Sequence, residues 1–272
     1  MSNESSNPGA LAGKRIVIIG GTAGLGLSAA KAFVAAGARL VVVGRQSDHL
    51  ELTREALADA AIVLQGDAAK PETAAAAVAQ AVAAFGGLDG LYHVAGGSGR
   101  RWGDGLLHEL TDEGWDATLN LNLTSVFYSN RAAVRQFLAQ GTGGTVLNMS
   151  SVLGFSPSPK FFATHAYAAA KAAIIGLTKT CAAQYASQSI RFNVLAPALV
   201  DTPMAQRAAN DATIVSFIKT KQPLDGGRIG QPADLDAAAV YFMSDASKFA
   251  TGQVLAVDGG WSVSEGQIPC EP

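Results

Sequence analysis

A short, mostly β-branched run, Arg15-Ile16-Val17-Ile18-Ile19, leads directly into Gly20-Gly21-Thr22-Ala23-Gly24-Leu25-Gly26 and then a helix-forming stretch from Leu27 to Ala36. Strand, glycine turn and helix in that order admit few folds. Glycine has no Cβ, so the turn lets backbone N–H groups approach a pyrophosphate that also faces the opening of the helix. A nucleotide-hydrolysing phosphate loop needs a lysine after its last glycine, and Leu27 stands there instead. The stretch Gly24-Leu25-Gly26-Leu27-Ser28-Ala29 fits the looser G-x-G-x-x-A dinucleotide fingerprint, although a tight structural turn reads the same way.

The alternation continues. A second strand, Leu40 to Val43, ends at Gly44-Arg45, about 20 residues beyond Gly24, where an acidic residue commonly holds the adenosine ribose. Gly44 offers no carboxylate, while Arg45 presents a planar fork suited to a 2′-phosphate, which favours NADP(H) and leaves NAD(H) as the alternative. Arg45 as a solvated turn residue is the plainer reading. Strand-like Ala61 to Gln65 ends at Gly66-Asp67-Ala68, a helix runs from about Glu72 to Phe85, and Leu88 to Val94 leads into Ala95-Gly96. Such alternation predicts a doubly wound parallel sheet with helices on both faces, a three-layer α/β/α fold that gathers ligands beyond its strands' carboxyl ends. Asp67, Ala68, Ala95 and Gly96 fall at such ends.

With 272 residues, 49% of them hydrophobic, the chain can bury a large single core, expected over 13–272 behind a disordered tail at 1–12. The net charge is −2 and the basic residues are scattered, so neither nucleic acid nor an anionic membrane is an expected partner. Cys181 and Cys270 lie far apart, which suits free thiols and a cytoplasmic protein. No metal-ligand spacing stands out.

Tyr167 and Lys171 stand four residues apart in an alanine-rich helical run, so both leave one face of a helix. An ammonium beside a phenol favours the phenolate, giving an acid or base usable at an alcohol or carbonyl. Alone, the hexapeptide from Ala166 reads first as ordinary helix surface. A helix expected from about Asp112 to Ala139 carries Asn122 among apolar positions, and the strand Thr145 to Met149 ends at Ser150-Ser151. The loop Gly97 to Gly105 holds Arg100, Arg101 and Trp102, an anion site or a solvated loop.

In their order these motifs resemble the short-chain dehydrogenase/reductase family from about Gly13 to Gly260. Its T-G-x-x-x-G-x-G turn falls on Ile19 to Gly26, with Ile19 replacing threonine, and its N-N-A-G element on His93-Val94-Ala95-Gly96, with both asparagines lost. Arg191 through Met204 matches the strand and loop beside the nicotinamide, and Asp258-Gly259-Gly260 closes the pattern. The resemblance implies about seven strands. It implies NAD(P)-dependent hydride transfer with a small-molecule alcohol or ketone, using Asn122, Ser151, Tyr167 and Lys171. Tyr167 would be the general acid/base, Ser151 would bind the substrate oxygen, Lys171 would hold ribose hydroxyls, and Asn122 would position a relay water. The implied cofactor-binding residues are Gly20, Thr22, Ala23, Gly24, Leu25, Gly26, Arg45, Asp67, Ala68, Ala95, Gly96, Tyr167, Lys171, Pro197, Val200 and Thr202. A substrate lid is expected over 202–224, with Phe155, Phe161, Phe162, Met204, Ile214, Val215, Phe217 and Ile218 as cavity wall or as plain packing. His165 is expected to start a helix. The resemblance also implies a homo-oligomer, tetramer or dimer, using Ala168, Ala172, Ala173 and Gly176 and the Asp258 region. A catalytically silent dinucleotide sensor or scaffold on this fold is the alternative.

Overall fold

The structure is a computed structural model and describes residues 9–268. In chain order the main elements are β1 (Arg15–Ile19), α1 (Gly24–Ala35), β2 (Arg39–Gly44), α2 (Ser47–Leu57), β3 (Ala61–Gln65), α3 (Pro71–Phe85), β4 (Gly90–His93), α4 (Asp112–Leu119), α5 (Ser125–Gln140), β5 (Gly144–Met149), α6 (Pro159–Phe162), α7 (His165–Tyr185), β6 (Ile190–Pro197), α8 (Gln206–Ala209), α9 (Ala212–Lys221), α10 (Asp236–Met243) and β7 (Val254–Val257). The strands form one 7-stranded parallel sheet in the order β3-β2-β1-β4-β5-β6-β7. Chain order reverses between β1 and β4, which opens a crevice at their carboxyl ends.

Both faces of the sheet are buried, which explains why β1 and β2 read as unbroken apolar runs. Ile16, Ile18, Leu40 and Val42 pack with Phe33 of α1 and Phe242 of α10 on one face. Their neighbours Val17, Ile19, Val41 and Val43 pack with Ala77 and Ala81 of α3 on the other. The period of two along a strand sends alternate side chains to opposite layers. Arg15 ties the foot of β1 to that of β4, its guanidinium donating to Asp89 at 2.7 and 3.0 Å.

Two expectations need correction. The predicted tail reaches too far: Leu11 is fully buried beside the α1 layer, and its N–H donates to Ala36 O at 2.9 Å, because an apolar side chain here finds a slot in the core. Positions 1–8, and Cys270, lie outside the described residues. The single helix expected from Asp112 to Ala139 is two helices joined by a widened π-helical turn at Asn120–Thr124, with Asn122 inside it. Such turns concentrate at functional sites.

Candidate active site

A cleft of ≈ 710 Å³ runs across the carboxyl ends of the strands, bordered by the glycine turn, Asp67, Gly96, Ser151, Tyr167, Lys171 and Thr202. The turn is built for close backbone approach. A Cβ on Gly26 would sit 2.0 Å from Gly20 O, and Gly20 itself has φ +88° with Ala95 N 2.5 Å from where a Cβ would be. α1 follows Ala23, which has no side chain able to cap it, and Ala23, Gly24 and Leu25 border the cleft. The uncapped N–H groups and the helix dipole make this a seat for a pyrophosphate.

The end of the cleft beside β2 explains the missing acid there. A Cβ on Gly44 would lie 2.0 Å from Thr22 Oγ1, so no carboxylate fits there without displacing Thr22. Arg45, Gln46 and His49 border this end of the cleft, with Gly66, Asp67 and Ala68. Asp67 is fixed by Ala69 N–H donating to its Oδ1 at 3.0 Å.

At the end of β4, His93 stands in place of an asparagine of the resembled motif and ties this strand end to α5 through Ser129. It is fully buried. Its Nε2–H donates to Ala95 O at 3.1 Å, and Nδ1 accepts from the Ser129 hydroxyl at 2.7 Å. Burial, aided by the Lys171 charge, pushes its pKa down to about 3, so the ring is neutral. Beyond it, Asn122 donates both amide hydrogens, to Gly97 O and Thr118 O at 2.9 Å each, and accepts from Gly97 N–H at 3.0 Å. A Cβ on Gly96 would meet Asn122 Oδ1 at 2.7 Å and Lys171 Nζ at 3.3 Å, so glycine here lets the two polar groups crowd one backbone position.

The helix carrying Tyr167 is held at its opening by a residue that the sequence did not flag. Asp104, 3% exposed, accepts from the N–H groups of Ala166 and Tyr167, each at 3.0 Å. His165 starts α7 as expected, its Nδ1–H donating to Gly105 O at 2.6 Å. Ser150 ties the end of β5 to the same helix through Lys171 O at 2.7 Å.

Between these supports, Ser151 shares the cleft wall with Tyr167, its Oγ donating to Pro197 O at 3.4 Å. Its Oγ also accepts from Leu153 N–H at 3.2 Å. Lys171 donates to Met149 O at 3.0 Å, with Nζ 5.4 Å from the centroid of the Tyr167 ring. Burial raises the phenol to about 12 against the opposing pull of Ser151, and burial lowers Lys171 to about 8. The expected depression of Tyr167 by its neighbouring ammonium is therefore reversed in the protein alone: desolvation outweighs it, and Tyr167 rests as the acid.

The loop after β6 places Pro197, Val200 and Thr202 along the cleft. Gln222 clamps it, accepting from Leu199 N–H at 3.0 Å and donating to Leu199 O at 3.2 Å. The Thr202 methyl lies 3.3 Å from where a Cβ on Gly24 would be, so this loop closes over the glycine turn. Ile214, Phe217 and Ile218 do not wall the cavity. They turn inward and pack with Val152 and Trp261. Trp102, Phe162, Met204 and Trp261 border the cleft; Phe155, Phe161 and Val215 do not. The contacts of Trp261 and Gln222 escape the sequence, since nothing local aims the one at Val152 and Phe217 or the other at Leu199.

Comparison with known proteins agrees with this geometry. A family model described as Enoyl-(Acyl carrier protein) reductase matches residues 20–262. The chain is 36% identical over 254 residues to a 2,5-dichloro-2,5-cyclohexadiene-1,4-diol dehydrogenase of Sphingobium indicum, covering 93% of this chain and 98% of that one. It is 33% identical over 267 residues to 3beta-hydroxysteroid dehydrogenase 2 of Eggerthella lenta, covering 96% and 99%. A solved short-chain type dehydrogenase/reductase from Mycobacterium ulcerans superposes with a TM-score of 0.84 at 28% identity, covering 94% of this chain and 92% of that chain.

Proposed function

The chain belongs to the short-chain dehydrogenase/reductase family of NAD(P)(H)-dependent oxidoreductases acting on alcohol or carbonyl groups, and we propose that Ser151, Tyr167 and Lys171, supported by Asn122, form its proton-transfer centre. The observation carrying this reading is that Ser151, the half-buried Tyr167 and Lys171, its Nζ 5.4 Å from the tyrosine ring centroid, all border the cleft onto which the glycine turn opens. A bound nicotinamide cofactor supplies or accepts the hydride at the substrate carbon and, when oxidised, adds positive charge that favours the phenolate. Tyr167 gives its proton to the substrate oxygen in reduction and removes it in oxidation. Ser151 hydrogen-bonds the same oxygen and stabilises its developing charge. Lys171 holds ribose hydroxyls. The Asn122 amide spends both hydrogens on backbone carbonyls, so its first task is to hold Gly96-Gly97 against Lys171, with one Oδ1 lone pair left for a relay water.

The raised phenol sets the pH dependence. Oxidation needs the phenolate, which grows as pH rises toward the pKa, so kcat/KM for an alcohol should climb by up to about tenfold per pH unit across neutrality. Reduction needs the phenol and should show no such rise. A flat oxidation profile between about pH 6 and 9 contradicts the assignment.

We propose NADP(H) as the preferred cofactor. The support is that Gly44 has no room for a ribose-binding carboxylate while Arg45 borders the same end of the cleft. NADPH should bind more tightly than NADH, and Arg45→Ala should shrink the gap; equal affinities in the parent, read by titration of cofactor fluorescence, contradict it.

We also propose a cytoplasmic homotetramer or dimer. Cys181 carries a free thiol, Ala172 and Gly176 are exposed on α7, and Trp115 and Phe127 are 38% and 43% exposed on α4 and α5. Among the described residues no helix is long and apolar enough to cross a membrane. Light scattering at micromolar concentration should give a multiple of the chain mass, and a monomer mass overturns the assembly.

A further inference from the structure

The cleft is far more cationic than the chain around it. The protein carries a net charge of −2, yet Arg45, Arg100, Arg101, Lys171 and Arg207 border the cleft against the single carboxylate of Asp67. Lys171 belongs to the reacting centre and Arg45 to the adenosine end. Arg101 sits over the neighbouring indole, its Cζ 3.9 Å from the Trp102 ring centroid. Two guanidinium groups are left without a role.

Those two meet. Arg100, from the loop after β4, and Arg207, from α8 in the lid, both donate through Nη2 to the carbonyl of Phe161, at 3.5 and 3.1 Å. Two like charges from separate elements thus share one neutral acceptor. The nearest acid, Asp104, has its two oxygens engaged by the N–H groups opening α7. Burial and the neighbouring Arg207 charge disfavour the Arg100 cation, and the Asp104 charge offsets part of this. Each fork has five N–H donors, and those not spent on Phe161 O suit the oxygens of a carboxylate or phosphate.

We propose that Arg100 and Arg207 form an oxyanion-binding subsite, so that the substrate is a hydroxy or oxo compound bearing a carboxylate or phosphate group. The proposal rests on the alcohol/carbonyl reading above and narrows it. The anion binds between the loop after β4 and α8, relieves the repulsion between the two arginines and draws the lid onto the substrate. The pair the sequence suggested, Arg100 with Arg101, is replaced by Arg100 with Arg207.

The test is equilibrium binding to the protein loaded with NADP+, which cannot reduce a ketone, followed by calorimetry. Levulinate is compared with 2-pentanone, and dihydroxyacetone phosphate with dihydroxyacetone. At least one anionic ketone should bind about tenfold or more tightly than its neutral partner, and the better pair tells carboxylate from phosphate. In the Arg100→Gln/Arg207→Gln double variant that advantage should vanish while NADPH affinity stays within about twofold and the melting temperature is kept. Parity within both pairs in the parent, an advantage that survives the double variant, or a collapse of NADPH affinity in it overturns the proposal; the last would assign the arginines to cofactor phosphates. NADPH oxidation, read in parallel, separates the two claims. Anion preference without reduction of any ketone would leave the subsite and remove the catalytic reading, and ketone reduction without anion preference would do the reverse.

Discussion

Tyr167→Phe is expected to bind NADPH as the parent does and to lose turnover by at least about 10²–10⁴-fold. The substitution removes one oxygen from a half-buried ring and leaves the ring's packing in place. The backbone at this position is held independently, because Asp104 accepts from Tyr167 N–H whatever the side chain is. Ser151 keeps its bonds to Leu153 N–H and to Pro197 O, the latter at 3.4 Å. Nothing structural is left to explain a large loss except the missing proton. A variant within about tenfold of the parent, a barrier change below about 1.4 kcal/mol, would mean that another group moves it.

Lys171→Met should lower kcat/KM by a comparable factor and weaken cofactor binding as well, without loss of thermal stability. Burial lowers the pKa of Lys171 to about 8, so at neutral pH the folded protein carries the ammonium against a desolvation cost. The sign follows from linkage: the unfolded chain holds this proton more tightly, so the penalty is present below the folded pKa and fades as pH rises from there toward the unfolded value. Methionine fills a similar volume without a charge, although Met149 O loses its donor. A charge retained at such a cost is retained for its chemistry. A melting temperature equal to or above the parent's at pH 7, together with collapsed turnover, is the expected pair of results. A variant that keeps its turnover removes Lys171 from the site.

The features legible in the sequence are those in which one residue type at one spacing has few alternatives. Glycines at Gly20 and Gly26 are dictated by backbone approach, and the β-branched runs that became β1 and β2 by burial on both faces. Ser151, Tyr167 and Lys171 were likewise found on their motifs and lie together along one cleft. What escaped depends on contacts between distant segments. Asp104 reads as a loop acid because nothing near it reveals α7, 62 residues on, whose opening N–H groups it holds. Arg207 joins Arg100 only through Phe161 O. The apolar run in the lid fits a cavity wall as well as packing until the position of Trp261 decides for packing. The protonation of Tyr167 in the protein alone escapes for a related reason: helical spacing brings the ammonium near, while the desolvation that raises the phenol is a property of the assembled fold.

The central claim is that this cleft couples reduced-cofactor chemistry to an alcohol or carbonyl through Tyr167. The most direct test follows NADPH and NADH absorbance at 340 nm in both directions across a panel of ketones and secondary alcohols, neutral and anionic, with parent and Tyr167→Phe side by side. The account predicts cofactor-linked turnover in the parent, faster with NADP(H), and its loss in the variant. Tight cofactor binding with no oxidation or reduction of any panel member by the parent would contradict it and point to a silent dinucleotide sensor.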